Sequence, residues 1–140
     1  IELKGARRIY QQFGDKVHIN ITSYNRMVLL TGEAPTETIK ADIEKLIMGV
    51  DNVRKIFNEI AVAGNTSLAS RSNDTLITSK VKTRFLTERK FQINHVKIVT
   101  ENEVVYLLGV VTRQEADNAA QIASSTSGVK KVVKVFEYLN

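Results

Sequence analysis

Cysteine is absent from the 140 residues, which excludes disulfides, thiol catalysis and thiolate metal sites. One proline and seven glycines leave no collagen-like or low-complexity composition. Long apolar runs are missing too. The longest, Val104–Val111, contains Tyr106 and Gly109 and has the length of a strand, far from the roughly 18 or more apolar residues that a membrane span needs. No G-x-S-x-G, P-loop, H-E-x-x-H or Rossmann glycine pattern occurs. The two histidines, His18 and His95, fall in separate halves without a C-x-x-C or H-x-x-x-H partner, which favours a strand-edge role over metal binding. Nothing here points to an enzyme, a cofactor or a metal site. Acid pairs such as Glu101 and Glu103 flank a turn, where solvated charge belongs.

What remains has the composition of a globular chain, with 43% apolar and 25% charged residues. The formal charge of +5 is unevenly placed. From Ser67 onward 11 Lys+Arg face 7 Asp+Glu, whereas before it the numbers are 9 and 8, so the basic excess belongs to the second half. Lys80, Lys82, Arg84, Arg89 and Lys90 cluster there against Glu88 alone. Such a surface attracts phosphate, on lipid or on nucleic acid, or simply solvates one face. The chain begins at Ile1 rather than methionine, so a preceding segment, with any signal or lipid-attachment sequence, is expected upstream.

Taken in order, the chain yields five elements and then repeats them. Residues 1–13 carry Ala6, Ile9, Tyr10 and Phe13 at helical spacing, closed by Gly14. V-H-I-N-I-T-S-Y from Val17, a turn at Asn25-Arg26 and M-V-L-L-T-G form a hairpin. Pro35 and Thr36 open a helix with Ile39, Ile43, Leu46 and Ile47 on one face, ended by Gly49. A strand over 53–62 follows, with Ile56, Ile60 and Val62 of one parity, and then a small polar linker over 63–71. In the second half Ser72, Asn73 and Asp74 are expected to cap a helix reaching Thr87. A hairpin forms around Glu101-Asn102-Glu103, Thr112 and Glu115 make a T-x-x-E capping box over a helix burying Ala116, Ala119, Ala120 and Ala123, and 132–139 is the last strand. I-N-I-T-S-Y-N-x-x-V-x-L-x-G at 19–32 returns as V-K-I-V-T-E-N-x-x-V-x-L-x-G at 96–109, and G-V-x-x-V at Gly49 returns at Gly128. The expected fold class is therefore α+β: two tandem domains, 1–62 and 72–140, each helix-strand-strand-helix-strand with a small three-stranded mixed sheet covered by two helices. Gly32 and Gly109 are read as structural glycines, ending apolar strands where the backbone makes a close approach or takes a positive φ.

The helix at 72–87 carries the candidate site. Ile77, Val81 and Phe85 form its core stripe, while Leu76 falls out of phase with them, beside Lys80, Thr83 and Thr87 and close to Arg84. A leucine on a basic, hydroxyl-rich face fits either membrane insertion or packing against another domain.

The doubled unit, with V-x-L-x-G at 28–32 and 105–109, G-V-x-x-V at 49–53 and 128–132, and S-N-D-T-x-I-T-x-K-V at 72–81, resembles the BON domain and, as a pair, the dual-BON lipoproteins of the Gram-negative outer membrane. The resemblance covers essentially the whole chain. It implies a periplasmic protein held to the inner leaflet of the outer membrane by an N-terminal lipid. Such a protein binds anionic phospholipid of the phosphatidylglycerol or cardiolipin type and supports envelope integrity and cell division. It also implies that the first helix of the second domain meets the membrane surface, which here makes Asn73, Thr75, Leu76, Ser79, Lys80, Thr83, Arg84 and Thr87 the candidate lipid-binding residues, with Lys80 and Arg84 on phosphate and Thr83 and Thr87 donating hydroxyl protons to the headgroup. Where the best-known relatives carry an inserting tryptophan, this chain has Leu76, which lacks the interfacial preference of an indole. Three cations at about 1 kcal/mol each and a leucine at about 2 kcal/mol give an attachment of roughly 5 kcal/mol, weak and salt-sensitive. Alternative functions are a protein-interaction adaptor of the envelope, docking envelope protein partners, and a small basic RNA-binding module. The last lacks an RNP-like aromatic pair and a G-x-x-G loop, so no nucleic-acid partner is expected.

Overall fold

The computed structural model describes residues 1–63, 68–88 and 96–139. Arg89, Lys90 and His95 lie outside them. Two compact units, Ile1–Thr66 and Ser67–Asn140, divide the chain.

In the first unit α1 (Glu2–Phe13) leads through a short 3-10 turn to β1 (His18–Tyr24) and β2 (Met27–Ala34). Then come α2 (Glu37–Met48), β3 (Lys55–Asn58) and the two-residue β4 (Ala61–Val62). β1 runs antiparallel to β2, while β3 and β4 run parallel to it, so β2 is central. The expected single strand over 53–62 is thus interrupted. The Asn58 side chain turns back on the backbone, its Oδ1 accepting from the Ile60 N–H at 3.2 Å and its amide donating to the Lys40 carbonyl at 3.1 Å. Ile60 stays buried, but Val62 is exposed and takes no part in the core. Thr36 caps α2, its hydroxyl accepting from the Ile39 N–H, as the Pro35-Thr36 signal implies.

The second unit repeats the plan: α3 (Leu68–Glu88), β5 (Lys97–Glu101), β6 (Val104–Val111), α4 (Arg113–Ser124) and β7 (Lys131–Tyr138). β6 is central, with β5 antiparallel and β7 parallel to it. The Thr112–Glu115 capping box forms in both directions. Each hairpin closes through a two-residue turn with both φ angles positive, Asn25-Arg26 and Asn102-Glu103, so Glu101 belongs to the strand and not to the turn.

One helix start differs from the sequence reading. α3 begins at Leu68, so Leu68–Arg71 is helix and not linker, and Ser72, Asn73 and Asp74 lie inside it. Asp74 has other work. Its carboxylate, only 4% exposed, accepts the backbone N–H groups of Asn102 and Glu103 at 2.7 and 2.9 Å, fastening the helix to the tip of the β5–β6 hairpin. Glu2 ties α1 to the hairpin of the first unit at a neighbouring place, accepting from the N–H of Ser23 in β1 at 2.7 Å and from its hydroxyl at 3.1 Å. An acidic residue one turn before the core stripe is therefore a hairpin clasp in both copies.

Each core lies between its two helices and one sheet face. Ile9, Val28, Leu30, Ala34, Ile43, Ile47 and Ile60 fill the first. Ile77, Val81, Phe85, Val105, Leu107, Val111 and Phe136 pack with the alanines of α4 in the second. Volume is conserved by exchange between helices. Gly5 of α1 leaves room for the tips of Ile21 and Ile47, each 2.9 Å from where its Cβ would stand; at the matching positions the second unit has Ile77 and Ala123. Gly32 has φ +114°, and a Cβ there would overlap the His18 carbonyl oxygen. It lies inside β2, which continues to Ala34, as β6 continues past Gly109 (φ +155°) to Val111; neither glycine ends its strand.

Candidate functional site

At 100° per residue the exposed half of α3 is centred on Leu76, which is 54% exposed. Ser72, Asn73, Ser79, Lys80, Thr83 and Thr87 share that half, and all are exposed. The opposite side buries Asp74, Ile77, Val81 and Phe85. Leu86, 59% exposed, stands at the edge of the same outer face and adds a second aliphatic group that the phase argument passed over.

The hydroxyl-bearing residues form a row four apart. Thr75 donates to the Arg71 carbonyl, Ser79 to Thr75, Thr83 to Ser79 and Thr87 to Thr83, at 2.9 to 3.2 Å. Their protons are thus spent on the helix itself. Thr83 and Thr87 do not offer hydroxyl protons outward, which corrects their expected role as headgroup donors; what faces solvent is methyl groups and oxygen lone pairs.

Arg84 is also not a free cation. Its Nη1 donates to the Ile122 carbonyl at 2.9 Å, to Ser125 Oγ at 2.7 Å and to Thr126 Oγ1 at 3.3 Å, while Nη2 pairs with Glu88 at 2.8 Å. A planar fork reaching a carbonyl, two hydroxyls and a carboxylate at once is a brace between α3 and the end of α4. The sequence shows the charge of Arg84 but not that α4 ends opposite it.

Lys80 remains. Its exposed ammonium donates to Ser127 Oγ at 3.3 Å, across a groove of about 510 Å³ lined by Ser79, Lys80, Thr83, Arg84, Ser125, Thr126 and Ser127. Ser125, Thr126 and Ser127 are not among the residues that the sequence points to. A signal for them exists in the repeat. Thr36 and Thr112, which cap α2 and α4, lie 76 positions apart, but the following Gly49 and Gly128 lie 79 apart. Between Ile47 and Gly49 the first unit has only Met48; the second inserts S-S-T-S at 124–127. The groove exists because of that insertion.

Among the described residues no group of His, Cys, Asp and Glu is placed to hold a metal ion, and no helix is long and apolar enough to cross a membrane. Two copies of one α+β unit, with the candidate site on a helix face and its flanking groove, define a tandem-repeat protein of a small mixed fold. The chain belongs to the BON-domain family, whose model matches residues 6–64 and again 73–140. It is 42% identical over 122 residues to the outer membrane lipoprotein DolP of Haemophilus influenzae, covering 87% of this chain and 63% of that protein. It is 35% identical over 128 residues to a 21 kDa hemolysin of Actinobacillus pleuropneumoniae, covering 91% and 66%. Identity to the osmotically-inducible protein Y of Escherichia coli is 30% over 117 residues, covering 81% and 58%. The chain thus spans between 58% and 66% of the length of these relatives.

Proposed function

We propose that the protein is a non-enzymatic component of the Gram-negative cell envelope whose second BON domain docks on anionic phospholipid through the outer face of α3, in support of outer-membrane integrity and cell division. The carrying observation is Leu76, held 54% exposed at the centre of that face with the Lys80 ammonium one turn along. The outer membrane location draws on the name of the Haemophilus relative; the periplasmic side and an inner-leaflet lipid anchor upstream of Ile1 belong to the same reading.

The energetics assign the face a limited task. With Arg84 committed to α4, one cation at about 1 kcal/mol and one leucine at about 2 kcal/mol leave roughly 3 kcal/mol, enough to orient the domain on a membrane reached by other means but not to hold it there. Co-flotation with phosphatidylglycerol and phosphatidylcholine vesicles at about 10 mM lipid, where an attachment of roughly 3 kcal/mol still populates the bound state, tests the reading. Wild type binds the first and not the second. Leu76→Glu loses binding by about 30-fold, the equivalent of one buried leucine. Equal flotation of wild type and Leu76→Glu on both vesicles would sink the proposal and leave a protein partner as the better occupant of this face.

A further inference from the structure

We infer that the groove between α3 and residues 125–127 is the subsite for the phosphate of the anionic lipid headgroup; the inference rests on the membrane-docking reading above and places its polar contact on Lys80 and Ser127, not on the hydroxyl protons of Ser79 and Thr83, which line the groove but are spent on the helix.

Three observations converge on the groove. First, its unspent donors lie together. Lys80 gives one of three ammonium protons to Ser127 Oγ, and among the described residues nothing accepts the Ser127 hydroxyl proton. A phosphate oxygen arriving there meets an ammonium and a hydroxyl that are already neighbours. Second, the acceptors that would repel it are already occupied. The end of α4 turns its negative dipole toward the groove, but Arg84, Ser125 and Thr126 all donate to the Ile122 carbonyl, and Ser124 and Ser125 donate to Gln121. The Glu88 carboxylate is held by Arg84, and no carboxylate lines the groove. Third, the volume of about 510 Å³ lies within the usual range of small-ligand pockets. Leu76 stands one helical turn from Lys80 on the same face, so a lipid whose phosphate sits at Ser127 brings its acyl region toward the leucine. Arg84 acts as a positioning residue, bracing the loop that carries Ser127. The first unit, with Met48 in place of the S-S-T-S insertion, has no counterpart.

The test uses the whole chain and pairs of matched charge changes. Ser127→Asp puts a carboxylate into the groove, whereas Ser124→Asp puts the same charge on an exposed neighbour that does not line it. Lys80→Gln removes the groove cation, and Lys82→Gln removes one from the flank of α3. On phosphatidylglycerol vesicles Ser127→Asp and Lys80→Gln each weaken binding about fivefold or more, the two controls by less than about twofold. Amide resonances of Ser127 and Gly128 shift on titration with a short-chain phosphatidylglycerol and not with inorganic phosphate. Equal losses within each matched pair would overturn the subsite while leaving membrane docking intact, because Leu76→Glu would still abolish flotation. Saturable shifts with inorganic phosphate alone would assign the groove to free phosphate and overturn the lipid assignment. Wild type that does not float at all defeats the docking reading itself.

Discussion

Replacing Arg84 by lysine separates two jobs that a cation on α3 can do. If the charge serves the membrane, lysine substitutes for it and the fold is indifferent. If the guanidinium serves as a brace, lysine keeps the charge but loses the fork that spans the Ile122 carbonyl, Ser125, Thr126 and Glu88. The side chain is about one-third exposed, so its ion pair with Glu88 is screened and contributes only a few tenths of a kcal/mol. The bonds to the Ile122 carbonyl and the Thr126 hydroxyl are part-buried, and that to Ser125 is exposed. Losing them costs about 1.5 kcal/mol, the Ile122 carbonyl itself keeping the Thr126 hydroxyl at 2.8 Å. For a unit of this size that is a fall of roughly 6 to 12 °C in melting temperature. Thermal unfolding followed by circular dichroism reads this for Arg84→Lys and Arg84→Ala, with vesicle flotation alongside. Both variants are expected to melt early, the alanine more so, and the lysine variant to bind phosphatidylglycerol vesicles more weakly than wild type while folded, because the loop carrying Ser127 has lost its brace. A lysine variant that melts with wild type would refute the brace.

Two further outcomes follow from the fold. Asp74→Ala removes two charge-assisted bonds from a buried site and leaves two backbone N–H groups unsatisfied at the hairpin tip, costing about 3 kcal/mol in urea unfolding of the second unit; a cost under about 1 kcal/mol would contradict the clasp. Gly32→Ala drives a methyl group into the His18 carbonyl at a φ of +114°, so a loss of at least about 3 kcal/mol is expected in the first unit, and unchanged unfolding would count against a close backbone approach there.

Much of the architecture could be read from one chain because it is written twice. Alternation in 18–24 and 97–101 specifies strands, Thr36 and Thr112 mark helix starts through local side-chain bonds, and the 77-residue echo between the hairpins identifies a repeat before any coordinate is known. The exposed position of Leu76 was equally legible, since the phase of a regular helix decides which residues oppose its core. These features depend on neighbours within about one turn or one strand pair.

Partner choice between distant residues did not follow from the amino acids. Asp74 reads as a cap because it sits among Ser72 and Asn73, yet it bonds 28 and 29 residues away, where the hairpin tip offers two N–H groups in a buried place. Arg84 reads as a surface cation, yet it bonds 38 to 42 residues on, because α4 ends opposite it with a carbonyl and two hydroxyl oxygens within reach. Composition determines how many charges and hydroxyls a face carries; whether each is spent inside the fold or left for a ligand depends on which donors and acceptors packing brings within about 3 Å of one another.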